Sequence, residues 1–182
     1  MMEVRSLCGR TFCYFRRFSM KNKILSVLAI SFVLCACLLA LTACDSPTKG
    51  VDYQVSADGT YAEVIGYSGT STKVNIASTY NGLPVKSIAS SAFYYCSSMT
   101  SITIPDGVTS IGDYAFYYCS SLTSIIIPDS VTSIGYRAFY GCSSLTSIKY
   151  RGTQTQWYAI SKGYDWDYNT GSYTITYNYT GN

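Results

Sequence analysis

The string AFYYCSSMTSITIPDGVTSIG, Ala92 to Gly112, returns as AFYYCSSLTSIIIPDSVTSIG, Ala115 to Gly135, and begins a third time as AFYGCSSLTSIKY at Ala138. Phe93, Phe116 and Phe139 recur every 23 positions, as do Cys96, Cys119 and Cys142, Ile102, Ile125 and Ile148, and Ile88, Ile111 and Ile134. A catalytic site needs different residues at different places, whereas a repeated string supplies the same ones again. Such a period marks a solenoid: no unit buries its apolar face alone, and stacked units share one continuous core.

Within a unit the local pattern is consistent with that reading. Ile125 and Ile127 alternate with Ser124 and Ile126, the period of two that sends one set inward and the other out. Pro128 ends the strand and Pro-Asp-Ser makes the turn. Val131 and Ile134 then form a second inward segment, and Ile111, Ala115 and Cys119, four apart, predict a short helical turn over 113–118. Leu122, Ile125 and Ile127 spell L-x-x-I-x-I, the leucine-rich strand pattern, and the period lies in the leucine-rich range of roughly 20 to 29 residues.

The expected fold is therefore a β-rich solenoid, a leucine-rich repeat of about three 23-residue units, with an N-terminal β-hairpin cap and a C-terminal helix-plus-strand cap. Residues 1–43 read as a signal peptide, 44–53 as a tether, 54–76 as the N-terminal cap, 77–148 as the solenoid and 149–182 as the C-terminal cap. Tyr61 to Gly66 and Lys73 to Ile76 flank YSGTST and read as the hairpin. Thr153 and Gln156 have capping-box spacing for a helix bearing Trp157 and Ile160, which Gly163 would end. YTITYNY from Tyr173 alternates as an edge strand.

Charge divides the chain. Residues 1–43 hold six Lys or Arg and one Glu, while residues 44–182 hold seven Lys or Arg against nine Asp or Glu. The folded part is slightly acidic and has no clustered basic face for phosphates, so nucleic acid is not an expected partner. Ile24 to Ala43 is an uncharged apolar run of 20 residues behind Arg16, Arg17, Lys21 and Lys23, the layout of a secretory signal or membrane anchor. It ends in LTAC, Leu41 to Cys44, and there resembles a bacterial lipoprotein signal. The resemblance implies cleavage before Cys44 and a diacylglycerol on its thiol, stable anchoring needing two or more acyl chains. An uncleaved transmembrane helix is the alternative, disfavoured by the small residues beside the cysteine. MKNKIL at Met20 is a better proportioned start than Met1.

Residues 99–142 match L-x-x-I-x-I-P-x-x-V-x-x-I-x-x-x-A-F-x-x-C in two consecutive copies at nearly every fixed position, and in this the chain resembles the BspA-like leucine-rich repeats of bacterial surface proteins. A weaker first unit, Val74 to Cys96, has Ala77 where proline is usual and an Asn81-Gly82 turn. The resemblance implies an extracytoplasmic module that adheres to host or matrix proteins or to other cells.

Nothing points to an enzyme. The chain has no histidine, the commonest general base and transition-metal ligand. Cys96, Cys119 and Cys142 come one per coil rather than two to four residues apart, so they read as buried free thiols, with a disulfide between neighbouring coils as the alternative. Asp106 and Asp129 occupy equivalent turns, where Asp after Pro is ordinary turn chemistry. Asn178-Tyr179-Thr180 fits the glycosylation sequon, which a bacterial lipoprotein would not ordinarily use. No metal or cofactor is implied.

What remains is surface. Outward strand positions predict two columns, Ser101, Ser124 and Ser147 in one and Thr103, Ile126 and Lys149 in the next, on the kind of face solenoids use for binding. The turns carry a second candidate in Tyr94, Tyr95, Tyr117, Tyr118 and Tyr140. The strand face is the favoured site, with Ile126 its one large apolar contact. The expected partner is a protein; the alternative is a structural envelope lipoprotein or one that lays a glycan on the Tyr and Trp rings.

Overall fold

Alternating apolar and small polar residues make short strands, and in the repeats a proline or glycine after the strand, as at Pro105, Gly112, Pro128 and Gly135, turns the chain so that equivalent strands lie side by side. The computed structural model describes residues 47–181; the expected signal peptide, the expected start at Met20 and Cys44 lie outside them. The elements are β1 (Val51–Val55), β2 (Ala62–Tyr67), β3 (Lys73–Asn75), β4 (Thr79–Tyr80), β5 (Leu83–Ile88), β6 (Ser101–Thr103), β7 (Ser110–Ile111), β8 (Ser124–Ile127), β9 (Ser133–Ile134), β10 (Ser147–Tyr150), α1 (Gln154–Ala159), β11 (Ser161–Lys162) and β12 (Thr174–Thr176).

Two sheets line the solenoid. One runs β3-β6-β8-β10-β12, parallel throughout and in repeat register, so that Val74, Ile102, Ile125, Ile148 and Ile175 form one column. The other runs β1-β2-β5-β7-β9-β11, with β4 beside β5 off this path, and is parallel except at β1 and β4, with Ile88, Ile111 and Ile134 in column. The winding reaches about 5 turns, beyond the three units legible in the repeat, because both ends continue the ladders.

The third side differs from expectation. Residues 113–118 form successive turns rather than a helical one, because Tyr114 and Tyr118 take left-handed φ values of 56° and 54°, a region non-glycine residues rarely enter. The alternation turns backbone N–H groups toward the next coil: Phe93 and Tyr95 donate to the carbonyls of Ala115 and Tyr117, and Phe116 and Tyr118 to those of Ala138 and Tyr140. A helix would keep these donors to itself; here they form a third ladder between coils.

Inside lies an aromatic stack. Phe93 and Phe139 lie on either side of Phe116, all fully buried, with centroids 5.2 and 4.9 Å apart and planes within 15° of parallel. Tyr67 closes the front of the stack, and Trp166 meets Phe139 at 90° to close the rear. Beside it the Cys119 thiol donates to the Phe93 carbonyl and the Cys142 thiol to that of Phe116, at 3.0 and 3.1 Å. Cys96, Cys119 and Cys142 are all free. Hydrogen bonding to the next thiol, with burial, pushes the Cys96 and Cys119 thiols well above their ordinary range.

Each end corrects an expectation. The hairpin pairs β2 with β1, which lies partly in the stretch read as tether, while Lys73–Asn75 joins β6 in parallel. Val51, Tyr53 and Val55 alternate and supply the partner strand that β2 requires. At the rear the Thr153 capping box is present, but α1 ends at Ala159 with Ile160 extended, before Gly163. Gly163 answers a close approach instead: a Cβ there would lie 2.5 Å from the Tyr136 nitrogen. Lys162 takes the register of Ile134, and its ammonium donates to the Trp157 and Ile160 carbonyls at 2.6 and 3.2 Å. A charge held inward on the last strand blocks further pairing.

Candidate functional site

The strand columns form as expected: Ser101, Ser124 and Ser147 stand in register, as do Thr103, Ile126 and Lys149. Their chemistry is poorer than expected. Ile126 is only 7% exposed, so the one large apolar contact of this face is withdrawn from a partner. The Lys149 ammonium lies 4.9 Å from the Tyr179 ring centroid. Around the strands, Thr100, Thr123 and Thr146 give their hydroxyls to carbonyls of the preceding coil. Asp106, one of the two equivalent turn aspartates, is paired with Arg151 at 3.2 Å. Among the described residues, no group of three or more His, Cys, Asp or Glu could hold a metal ion.

The turn ladder carries more. Its backbone places one tyrosine per coil in a column: Tyr94, Tyr117, Tyr140 and Tyr168 stack ring on ring at 5.1, 5.2 and 5.4 Å. Tyr95 and Tyr118 stack beside them at 5.3 Å, and Tyr118 meets Tyr117 edge to face. Tyr114, Tyr136 and Tyr164 continue the network on the other flank. Arg137 takes the turn position of Tyr114 in the next coil; its guanidinium lies 4.9 and 5.0 Å from the Tyr136 and Tyr140 rings and pairs with Asp165. The edge is therefore aromatic, hydroxyl-bearing and internally neutralised at its one arginine. Tyr164 and Tyr168, at 77% and 59% exposed, stand out most.

Stacking decides what such an edge can recognise. Tyr117 is flanked by Tyr94 on one face and Tyr140 on the other, so the ring presents its rim and hydroxyl outward rather than its face. Loss of hydration, then the neighbouring phenols, raises the pKa of Tyr117 and likewise of Tyr114, which keeps them neutral donors and acceptors at physiological pH. Serines follow directly, at Ser97 and Ser98, Ser120 and Ser121, and Ser143 and Ser144. Tyrosine beside serine is the composition of antibody paratopes, rigid contact area with adaptable hydrogen bonding.

Sequence reading found Tyr94, Tyr95, Tyr117, Tyr118 and Tyr140 but missed Tyr114, Tyr136, Tyr164 and Tyr168. The last two were hidden by spacing: 28 residues, not 23, separate Arg137 from its register partner Asp165, because α1 is inserted in that coil. GYDWDY at Gly163 is the altered copy of GDYAFY at Gly112.

The comparisons agree with this architecture. No curated protein matches the chain. Among solved structures, a leucine-rich repeat protein of T. pallidum is 26% identical over 70% of each chain, with a TM-score of 0.59. A leucine-rich repeat protein from Bacteroides capillosus is 26% identical over 72% of this chain and 96% of its own, also at 0.59. One from Bacteroides ovatus is 31% identical, with a TM-score of 0.58, over 73% of this chain but 37% of its own. Residues 71–162 match the family described as BspA type leucine rich repeat region, and it is to this family that the chain belongs.

Proposed function

We propose that the chain is a lipid-anchored, non-catalytic protein-binding module of the bacterial envelope, and that it recognises its partner through the tyrosine edge. The observation that carries the reading is the exposure of a stacked tyrosine network along one side, with Tyr94, Tyr95, Tyr164 and Tyr168 all open to solvent. Tyrosine is enriched where proteins bind one another and buries large area at small conformational cost. Family membership supports an interaction role; LTAC before the polar stretch supports the anchor through Cys44.

The edge favours protein over sugar. A sugar platform needs an open ring face, and the inner rings have theirs covered by neighbours 5.1 to 5.2 Å away. Extracellular-matrix proteins and a glycan array, probed side by side with the protein, separate the two: saturable capture of a protein with a blank array supports the reading, and the reverse overturns it.

A further inference from the structure

Within the stretch read as tether, Thr48 is held to the solenoid. Thr48 lies along the outer edge of β3, its N–H donating to the Asn75 carbonyl at 2.9 Å while its hydroxyl accepts from the Asn75 N–H at 2.8 Å. The hydroxyl also reaches the Lys73 carbonyl at 3.4 Å. Thr48 thus fills the edge that begins the parallel sheet, and the chain is pinned there to the N-terminal end of the solenoid. Beside it Thr48, Lys49, Gly50 and Ser68 to Ser71 line a shallow hollow.

Only Asp45, Ser46 and Pro47 separate Thr48 from Cys44. At ~3.6 Å per residue, those links reach about 14 Å at full stretch. The polar layer on each side of a bilayer's hydrocarbon core is about 5 to 7 Å thick. We infer that the N-terminal end of the solenoid, at the Thr48 to Ser71 hollow, rests against the lipid headgroups, so that successive coils climb away from the membrane and the tyrosine edge runs outward along them. The inference rests on lipidation of Cys44. Charge contributes little, since this end carries Lys49 and Lys73 together with Asp52 and Glu63; the covalent reach holds it there, and the contact is insensitive to salt.

Hydrogen exchange read by mass spectrometry tests this on the full chain, purified from bacteria and reconstituted in phosphatidylethanolamine–phosphatidylglycerol vesicles. Residues 49–50 and 68–72 are expected to exchange several-fold more slowly on vesicles than in detergent, at low and high salt, with residues 154–180 unchanged. Inserting about a dozen Gly and Ser residues after Ser46 is expected to abolish the slowing while the protein still floats with vesicles. A labelled, floating protein without that slowing, or with equal slowing at both ends, overturns the inference while leaving the anchor intact. Slowing that persists in Cys44→Ala overturns it too, since the tether would not be its cause. A chain that takes no fatty-acid label overturns both the anchor and the orientation.

Discussion

Phe116 lies parallel to Phe139 with ring centroids 4.9 Å apart, in the middle of a stack that runs from Tyr67 to Trp166. Each ring fills the space left between two coils, so removing the central one opens a cavity that the hydrogen-bonded ladders on three sides cannot close. Phe116→Ala is expected to cost about 3 to 5 kcal/mol, a large share of a small domain's stability. Chemical denaturation measures it; a midpoint unchanged by the substitution would mean that the stack contributes little.

Gly135 is needed for space rather than for conformational freedom. A Cβ there would lie 2.5 Å from the Asp113 nitrogen and 2.6 Å from the Gly112 carbonyl carbon. Gly135→Ala therefore forces two coils apart and is expected to cost about 1 to 3 kcal/mol. Gly66, whose Cβ would meet only the Asp52 side chain at 3.4 Å and beyond, is the control, and a larger loss at Gly66→Ala would contradict the argument.

How much of this was legible varies with the element. The period of Phe93, Phe116 and Phe139 carried the solenoid, its core and the strand columns, because identical coils must place identical residues alike. Tyr114 and Tyr118 were misread as part of a helical turn, since nothing in a tyrosine signals left-handed φ; the demand comes from the neighbouring coil, which no local pattern contains. Val51 to Val55 alternates plainly, yet its partner could not be named until β2 was seen to need one. Ile126 reads as outward by alternation, and it is, but alternation says nothing of what covers a side chain once it is outside. The columns were visible in the sequence and their accessibility was not, which is why the favoured face moves from the strands to the tyrosines.

The thiols of Cys96 and Cys119 are held protonated, first by hydrogen bonding to the next thiol and then by burial. With folded values raised above the ordinary 9.0, the folded state keeps protons that the unfolded chain releases. Their contribution is therefore complete below pH 9 and declines as pH rises beyond it. Unfolding free energy is expected to fall from about pH 9 upward, with a shallower slope in Cys119→Ala. Identical slopes in the two proteins would remove the thiols from the explanation.

Tyr150 is fully buried, and among the described residues its hydroxyl has no hydrogen-bond partner. An unsatisfied buried donor costs about 1 to 3 kcal/mol. Tyr150→Phe keeps the ring against Trp157 and removes that cost, so the variant is expected to be as stable as the parent or more so. A clear drop in melting temperature would mean that the hydroxyl has a partner, such as an internal water.

The placement of recognition on the tyrosine edge is tested most directly by affinity for the protein captured from the matrix panel, measured for Tyr94→Ser/Tyr95→Ser beside Thr103→Glu, with circular dichroism to confirm folding. Loss of two exposed aromatic contacts is expected to weaken binding by tenfold or more, equivalent to at least about 1.4 kcal/mol, while Thr103→Glu, on the strand face, leaves it unchanged. Full affinity in the tyrosine variant together with a loss in Thr103→Glu would contradict the account and return the site to the strands.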